Sequence, residues 1–131
     1  MQDVLIPYES DDGTLTEDNP LRRISQLCCD AAEAAGRPFN LPPKYKSYLE
    51  RAGFVDVEEH RLKWPLNQWP KHPYYKEIGA WTQENLHNGI EGIIMALLTR
   101  HLGWTQEEVV VAAMEYRNAL KDRRTHAYIP V

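Results

Sequence analysis

Apolar residues recur at changing spacings along this chain, and the changes mark its elements. Residues 2–8 (QDVLIPY) hold an apolar run at Val4, Leu5 and Ile6 and predict a short buried strand, ended by the turn formers of residues 9–13 (ESDDG). Leu21, Ile24, Leu27, Cys28, Ala31 and Ala35 fall at helical spacing, with Asn19-Pro20 ahead of them as N-cap and first helical residue and Gly36 behind as the stop. Pro42-Pro43 opens a second, shorter helix through Tyr45, Tyr48, Leu49 and Ala52, closed by Gly53. Residues 54–64 (FVDVEEHRLKW) alternate in part, at Val55, Val57, Leu62 and Trp64, and predict a second strand. Residues 65–73 (PLNQWPKHP) carry three prolines and exclude regular structure.

The pattern from residue 74 to residue 102 is one long helix, with Gly79 and Gly89 as places where it can break and Gly103 as its end. Thr105 with Glu108 forms a capping box for a last helix, whose apolar face is Val109, Val110, Ala112, Ala113, Tyr116 and Leu120. Residues 126–131 (HAYIPV) predict a final strand. The order is strand, two helices, strand, two helices, strand, in a single domain over residues 1–131 with no repeat and no linker.

Composition narrows the function classes. A chain of 131 residues, 43% hydrophobic and 26% charged, builds one core. Its net charge of -4, without long runs of one sign, argues against nucleic acid and against a basic membrane patch. Cys28 and Cys29 are neighbours on one helix, point about 100° apart and suit core filling in a reducing compartment. The polar, short N-terminus and the brevity of the apolar run at residues 93–98 predict a cytoplasmic protein.

Particular residue strings add a resemblance. Asp11-Asp12-Gly13-Thr14 follows the first strand, and Ala52-Gly53-Phe54-Val55-Asp56-Val57 leads into the second. Trp64-Pro65-Leu66-Asn67 with Trp69-Pro70, and Lys76-Glu77-Ile78-Gly79, come next. Leu97-Leu98-Thr99-Arg100, Leu102-Gly103-Trp104-Thr105, Glu107-Glu108-Val109 and His126-Ala127-Tyr128 complete the series. In this order they resemble the C-terminal half of fungal class I secondary-metabolite methyltransferases, of the kind related to a global regulator of fungal secondary metabolism. The resemblance implies an α+β unit, a truncated α/β methyltransferase-like fold with a small three-stranded sheet and about four helices. It also implies that the S-adenosylmethionine-binding elements lie upstream of Met1. No Gly-x-Gly occurs in the chain, so none of its own turns matches a cofactor-cradling one.

The expected function is therefore independent of S-adenosylmethionine and of any other cofactor. A natural-product intermediate would sit in an aromatic-lined pocket and be cyclised, rearranged or isomerised by shape and acid/base assistance. The alternative is a non-catalytic pseudo-methyltransferase subunit that completes or regulates a methyltransferase. Candidate proton-transfer groups are His72 in the proline-rich loop, His87 between Glu84 and Glu91, and Tyr8, Glu9 and Asp11 at the end of the first strand. Trp64, Trp69, Tyr75, Trp81, Asn85 and Met95 are the candidate substrate walls. Each has a plainer reading as well: ion-paired helix face, turn chemistry or packing. Gly89, Gly92 and Ala96 suit tight helix packing or a cavity wall. The five histidines show no metal spacing. The first strand's outer edge predicts a homodimer or a methyltransferase-like partner paired along it.

Overall fold

A computed structural model describes residues 2–131 and shows an α+β architecture with four α-helices and a two-stranded antiparallel sheet. Helix α1 (Pro20–Ala34) begins where Asn19 accepts the Leu21 N–H and Pro20 takes the first helical position. Its buried residues Leu21, Ile24, Cys28, Ala31 and Ala32 recur at spacings of three and four, so one stripe faces inward. After it come a 3-10 turn (Pro42–Lys44) and the short helix α2 (Tyr45–Arg51), neither of which contributes a buried residue. Strand β1 (Lys63–Pro65) precedes the proline-rich loop.

Helix α3 (Pro73–His101) runs unbroken for 29 residues, about 43 Å at 1.5 Å per residue. Helix α4 (Gln106–Leu120) starts with the capping box expected of Thr105 and Glu108, and β2 (Tyr128–Pro130) closes the described chain. Helices α1, α3 and α4 pack against one another, and β1 also rests on α3. Their shared core holds Leu21, Ile24, Ile94, Leu98, Val109, Tyr116 and Leu120, all fully buried.

Two of the expected strands are shortened and one is reduced to a bridge. β1 pairs with β2 as Lys63↔Pro130, Trp64↔Ile129 and Pro65↔Tyr128. On the far side of β2, Leu5 N–H donates to the Pro130 carbonyl at 2.8 Å, and Glu9 and Tyr128 exchange both backbone bonds. Residues 2–8 thus lie where a third strand would be, without forming one. Pro130 has no N–H to return to Leu5, and Pro7 has none to donate. The second strand loses residues 54–62: Asp56 sits at φ 54, which breaks an extended run, and Phe54 and Val55 are exposed. Helix propensity and capping were readable locally, whereas strand length depended on what each segment found to pair with.

One contact joins loop to helix. Asn67, fully buried, donates through Nδ2 to the carbonyls of Leu120 (3.0 Å) and Asp122 (3.2 Å) and accepts the Trp69 N–H at 2.9 Å. Its backbone carbonyl presses on α3 at Gly79, where a β-carbon would lie 2.0 Å from the oxygen. The second helical glycine stretch differs. Gly92 has nothing within 4 Å of the same position, and Gly89 meets only Ile93 of its own helix. Gly79→Ala should therefore cost about 1–3 kcal/mol in urea unfolding. Gly92→Ala, by contrast, should stabilise by about 0.5–1 kcal/mol.

Candidate functional site

A cleft of about 430 Å3 opens beside β2. One wall is the N-terminal segment with β2, a second is the 3-10 turn with α2, and the third is residues 57–63. Leu5, Leu49, Val57, Leu62, Pro130 and Val131 supply apolar surface, and Glu9 and Tyr128 supply polar atoms at the sheet side. Glu9 and Tyr128 are directly opposite in an antiparallel bridge, which puts their side chains on one face.

The Tyr128 hydroxyl, on a buried ring, lies 2.8 Å from Asp11 Oδ1 and 3.2 Å from Glu9 Oε2. Lys63 Nζ stands 2.5 Å from Asp11 Oδ2 and 4.8 Å above the Tyr128 ring centroid. The Lys63 ammonium, followed by the Tyr128 hydroxyl, holds the Asp11 carboxyl below its ordinary range. Burial, then the hydrogen bond to Asp11, pushes the Tyr128 phenol up. Tyr128 therefore keeps its proton at neutral pH and spends it on a carboxylate that stays charged.

The expected site residues divide. Glu9 and Asp11 meet at Tyr128. Tyr8, expected as a proton donor in the crevice, is instead a core residue whose hydroxyl lies 2.8 Å from that of Tyr116. Burial is the leading cause that raises its phenol to about 12. Trp64 packs partly buried against the core from β1, and Met95 does so from α3. Trp69 donates from Nε1 to the Ala127 carbonyl at 3.0 Å and stacks on His126, which is bonded through Nδ1 to Asp12 at 2.5 Å. His72 and Tyr75 lie edge to face on the surface at the start of α3, and Trp81 is 71% exposed.

Asn85 is exposed on α3. His87 is half-buried, and its backbone carbonyl accepts from Arg117. The carboxylates that sequence placed beside it are engaged elsewhere, Glu84 by Asn88 and Glu91 by Arg117. None of these nine aromatic, histidine, asparagine or methionine positions lines the cleft. Sequence reading missed Tyr128 and Lys63. The signal was the alternation of the closing segment, but which residue faces which across β1 and β2 depends on register.

Comparison with known proteins supplies the ancestry. The chain is 34% identical over 131 residues to the probable methyltransferase tdiE of Emericella nidulans, which covers 100% of this chain and 41% of that protein. It is 36% identical over 118 residues to the methyltransferase pytC of Aspergillus terreus, covering 90% of this chain and 36% of the relative. A secondary metabolism regulator of Cochliobolus heterostrophus is 36% identical over 119 residues, covering 90% and 39%. The chain is a homologue of fungal secondary-metabolism methyltransferases. It spans about two fifths of the length of these curated relatives. No protein-family profile matches it, and no solved structure matches at a significant level.

Methyltransferase ancestry implies S-adenosylmethionine, and residues 2–131 do not fit it. The turn after the first segment is folded on itself, with Asp12 Oδ1 accepting from Ser10 Oγ, Thr14 N–H and Thr14 Oγ1, so it offers no open cradle. The N-terminus of α1 is already capped by Asn19. Among the described residues no helix is long and apolar enough to cross a membrane, and no cluster of His, Cys, Asp and Glu has metal-binding geometry.

The phenols yield a pH test. A neutral phenol whose folded pKa is raised contributes stability below the unfolded value of about 10 and loses it as pH rises through the folded value. Tyrosinate absorbance at 295 nm should show Tyr8, near 12, ionising together with loss of helical circular dichroism. Tyr8→Phe should remove one late-ionising phenol.

Proposed function

We propose that this methyltransferase homologue binds a natural-product intermediate of fungal secondary metabolism in the cleft beside β2 and assists its cyclisation, rearrangement or isomerisation. The observation that carries the reading is the Tyr128 hydroxyl set between Glu9 and Asp11 at the edge of apolar walls. Apolar walls hold a small molecule's shape, and a few convergent polar groups fix its orientation. Asp11 stays charged beside Lys63, Tyr128 stays protonated, and Glu9 is the group placed to accept a proton from the bound molecule. No step of this scheme draws on a methyl donor.

A second reading has its own support, since the relatives are about two and a half times as long as the matched region. In it the chain serves a methyltransferase as an accessory subunit. Either role suits an assembly along the outer side of residues 2–6, as a homodimer or with a methyltransferase-like partner. At Tyr8 that side is filled from α1, where Ser25 Oγ accepts the N–H at 3.4 Å and Arg22 donates to the carbonyl at 3.0 Å. Among the described residues no strand pairs with the outer side further toward the N-terminus.

Deletion of the gene with metabolite profiling distinguishes the roles. Accumulation of an uncyclised precursor with its methylation intact is the expected result, and an unmethylated product would establish the accessory role instead. Calorimetric titration of residues 1–131 with S-adenosylmethionine should give no binding heat, and micromolar affinity would overturn the cofactor-free reading. Sedimentation equilibrium should return twice the 15.2 kDa chain mass for the homodimer.

A further inference from the structure

The cleft cations Lys46, Arg61 and Lys63 are each paired with a carboxylate, whereas the cleft carboxylates Asp3 and Glu9 meet only neutral donors. Asp3 accepts the Tyr45 hydroxyl at 2.7 Å, Glu58 lies 3.3 Å from His60, and Glu59 is bonded to Arg61. Lys46 faces Glu50 at 4.0 Å, and Lys63 is held by Asp11. Glu9 has no cation beside it among the described residues. Its one side-chain contact is the Tyr128 hydroxyl at 3.2 Å, and that hydroxyl carries a single proton with a nearer acceptor, Asp11, at 2.8 Å.

The Glu9 carboxylate is nonetheless held in place. Its backbone N–H and carbonyl are both bonded to Tyr128, so the side chain leaves the sheet at a defined point of the cleft wall. The cleft it enters is also lined by Leu5, Pro130, Leu49, Val57 and Leu62. A carboxylate without a cation, at the edge of an apolar cleft whose own cations are already paired, favours one kind of guest, a hydrophobic molecule carrying a positive charge. An anion would meet Glu9 unscreened. A neutral guest would displace the water that solvates the carboxylate without replacing a charge.

We propose that the cleft selects a hydrophobic amine, protonated at neutral pH, whose ammonium pairs with Glu9 while its apolar body lies against Leu49, Val57 and Leu62. This inference rests on the cleft being the ligand site and adds the chemical class of the ligand. A bound primary ammonium has three donors, enough for Glu9 and for the Tyr128 hydroxyl oxygen, whose own proton points to Asp11.

Three probes of equal shape test it: 4-phenylbutylamine, 4-phenylbutanol and 4-phenylbutyrate, titrated at pH 7 into the 15N-labelled chain and followed by amide shifts. The amine should bind about five- to tenfold more tightly than the alcohol, with the acid weakest, and shifts should centre on residues 5, 9, 49, 62 and 128. Glu9→Gln should abolish the preference for the amine, with the alcohol still shifting residues 5, 49, 62 and 128, which also shows the variant is folded. An alcohol that binds as tightly as the amine, or an amine preference that survives Glu9→Gln, overturns the ligand class and leaves the cleft as the site. Absence of shifts at the cleft with all three probes overturns the class and the cleft together.

Discussion

The close approach of Gly79 to the Asn67 carbonyl is the constraint on which the arrangement of this molecule depends. It places the start of the long helix α3 directly over the proline-rich loop, at a separation no side chain would allow. The buried Asn67 amide then ties that loop to the C-terminal end of α4 through Leu120 and Asp122. Trp69 extends the tie to Ala127, just before β2. A stretch of chain with three prolines cannot satisfy its own backbone, so its order comes from side-chain amide and indole donors that reach other segments. Through them β1, α3, α4 and β2 share one anchor.

The site inherits its geometry from that anchor. β2 is held on one side by β1 and on the other by single backbone contacts at Leu5 and Glu9. The second of these sets Glu9 opposite Tyr128, and the turn that follows carries Asp11 back to the same hydroxyl. The turn is itself latched by Asp12, which serves Ser10, Thr14 and His126. These hydrogen bonds, those from Thr14 foremost, hold the Asp12 carboxyl far below its usual range, so the latch is complete above the ordinary carboxylate pKa and fails only in strong acid. Glu9 belongs to the bridge and not to the latch.

Residues that looked functional in sequence because they are aromatic turned out to serve the fold or to lie on its surface. Trp69 resembled a pocket wall because it stood among prolines and polar residues, and it is instead the indole donor that fastens the loop. Tyr8 stood at a strand end, where ligands commonly sit, and its ring turned inward to Tyr116. The same strand-end argument named Glu9 and Asp11, which meet at the Tyr128 hydroxyl. What separates them from Tyr8 is the alternation of side chains along the segment, which a reading of strand position alone does not resolve.

The sequence by itself determined the helices, because each is specified by local chemistry. Asn19-Pro20 caps and starts α1, Thr105 and Glu108 cap α4, and inward stripes at three- and four-residue spacing hold both to α3. It also determined ancestry, since strings spread across the chain carry the likeness to fungal methyltransferases. Tertiary structure decided the rest. Strand length, the bridge at Glu9 and the partner of the Tyr128 hydroxyl all depend on pairs far apart in sequence. The physical reason is range: capping and helical periodicity act within a few residues, whereas register and charge balance exist only after distant segments have met.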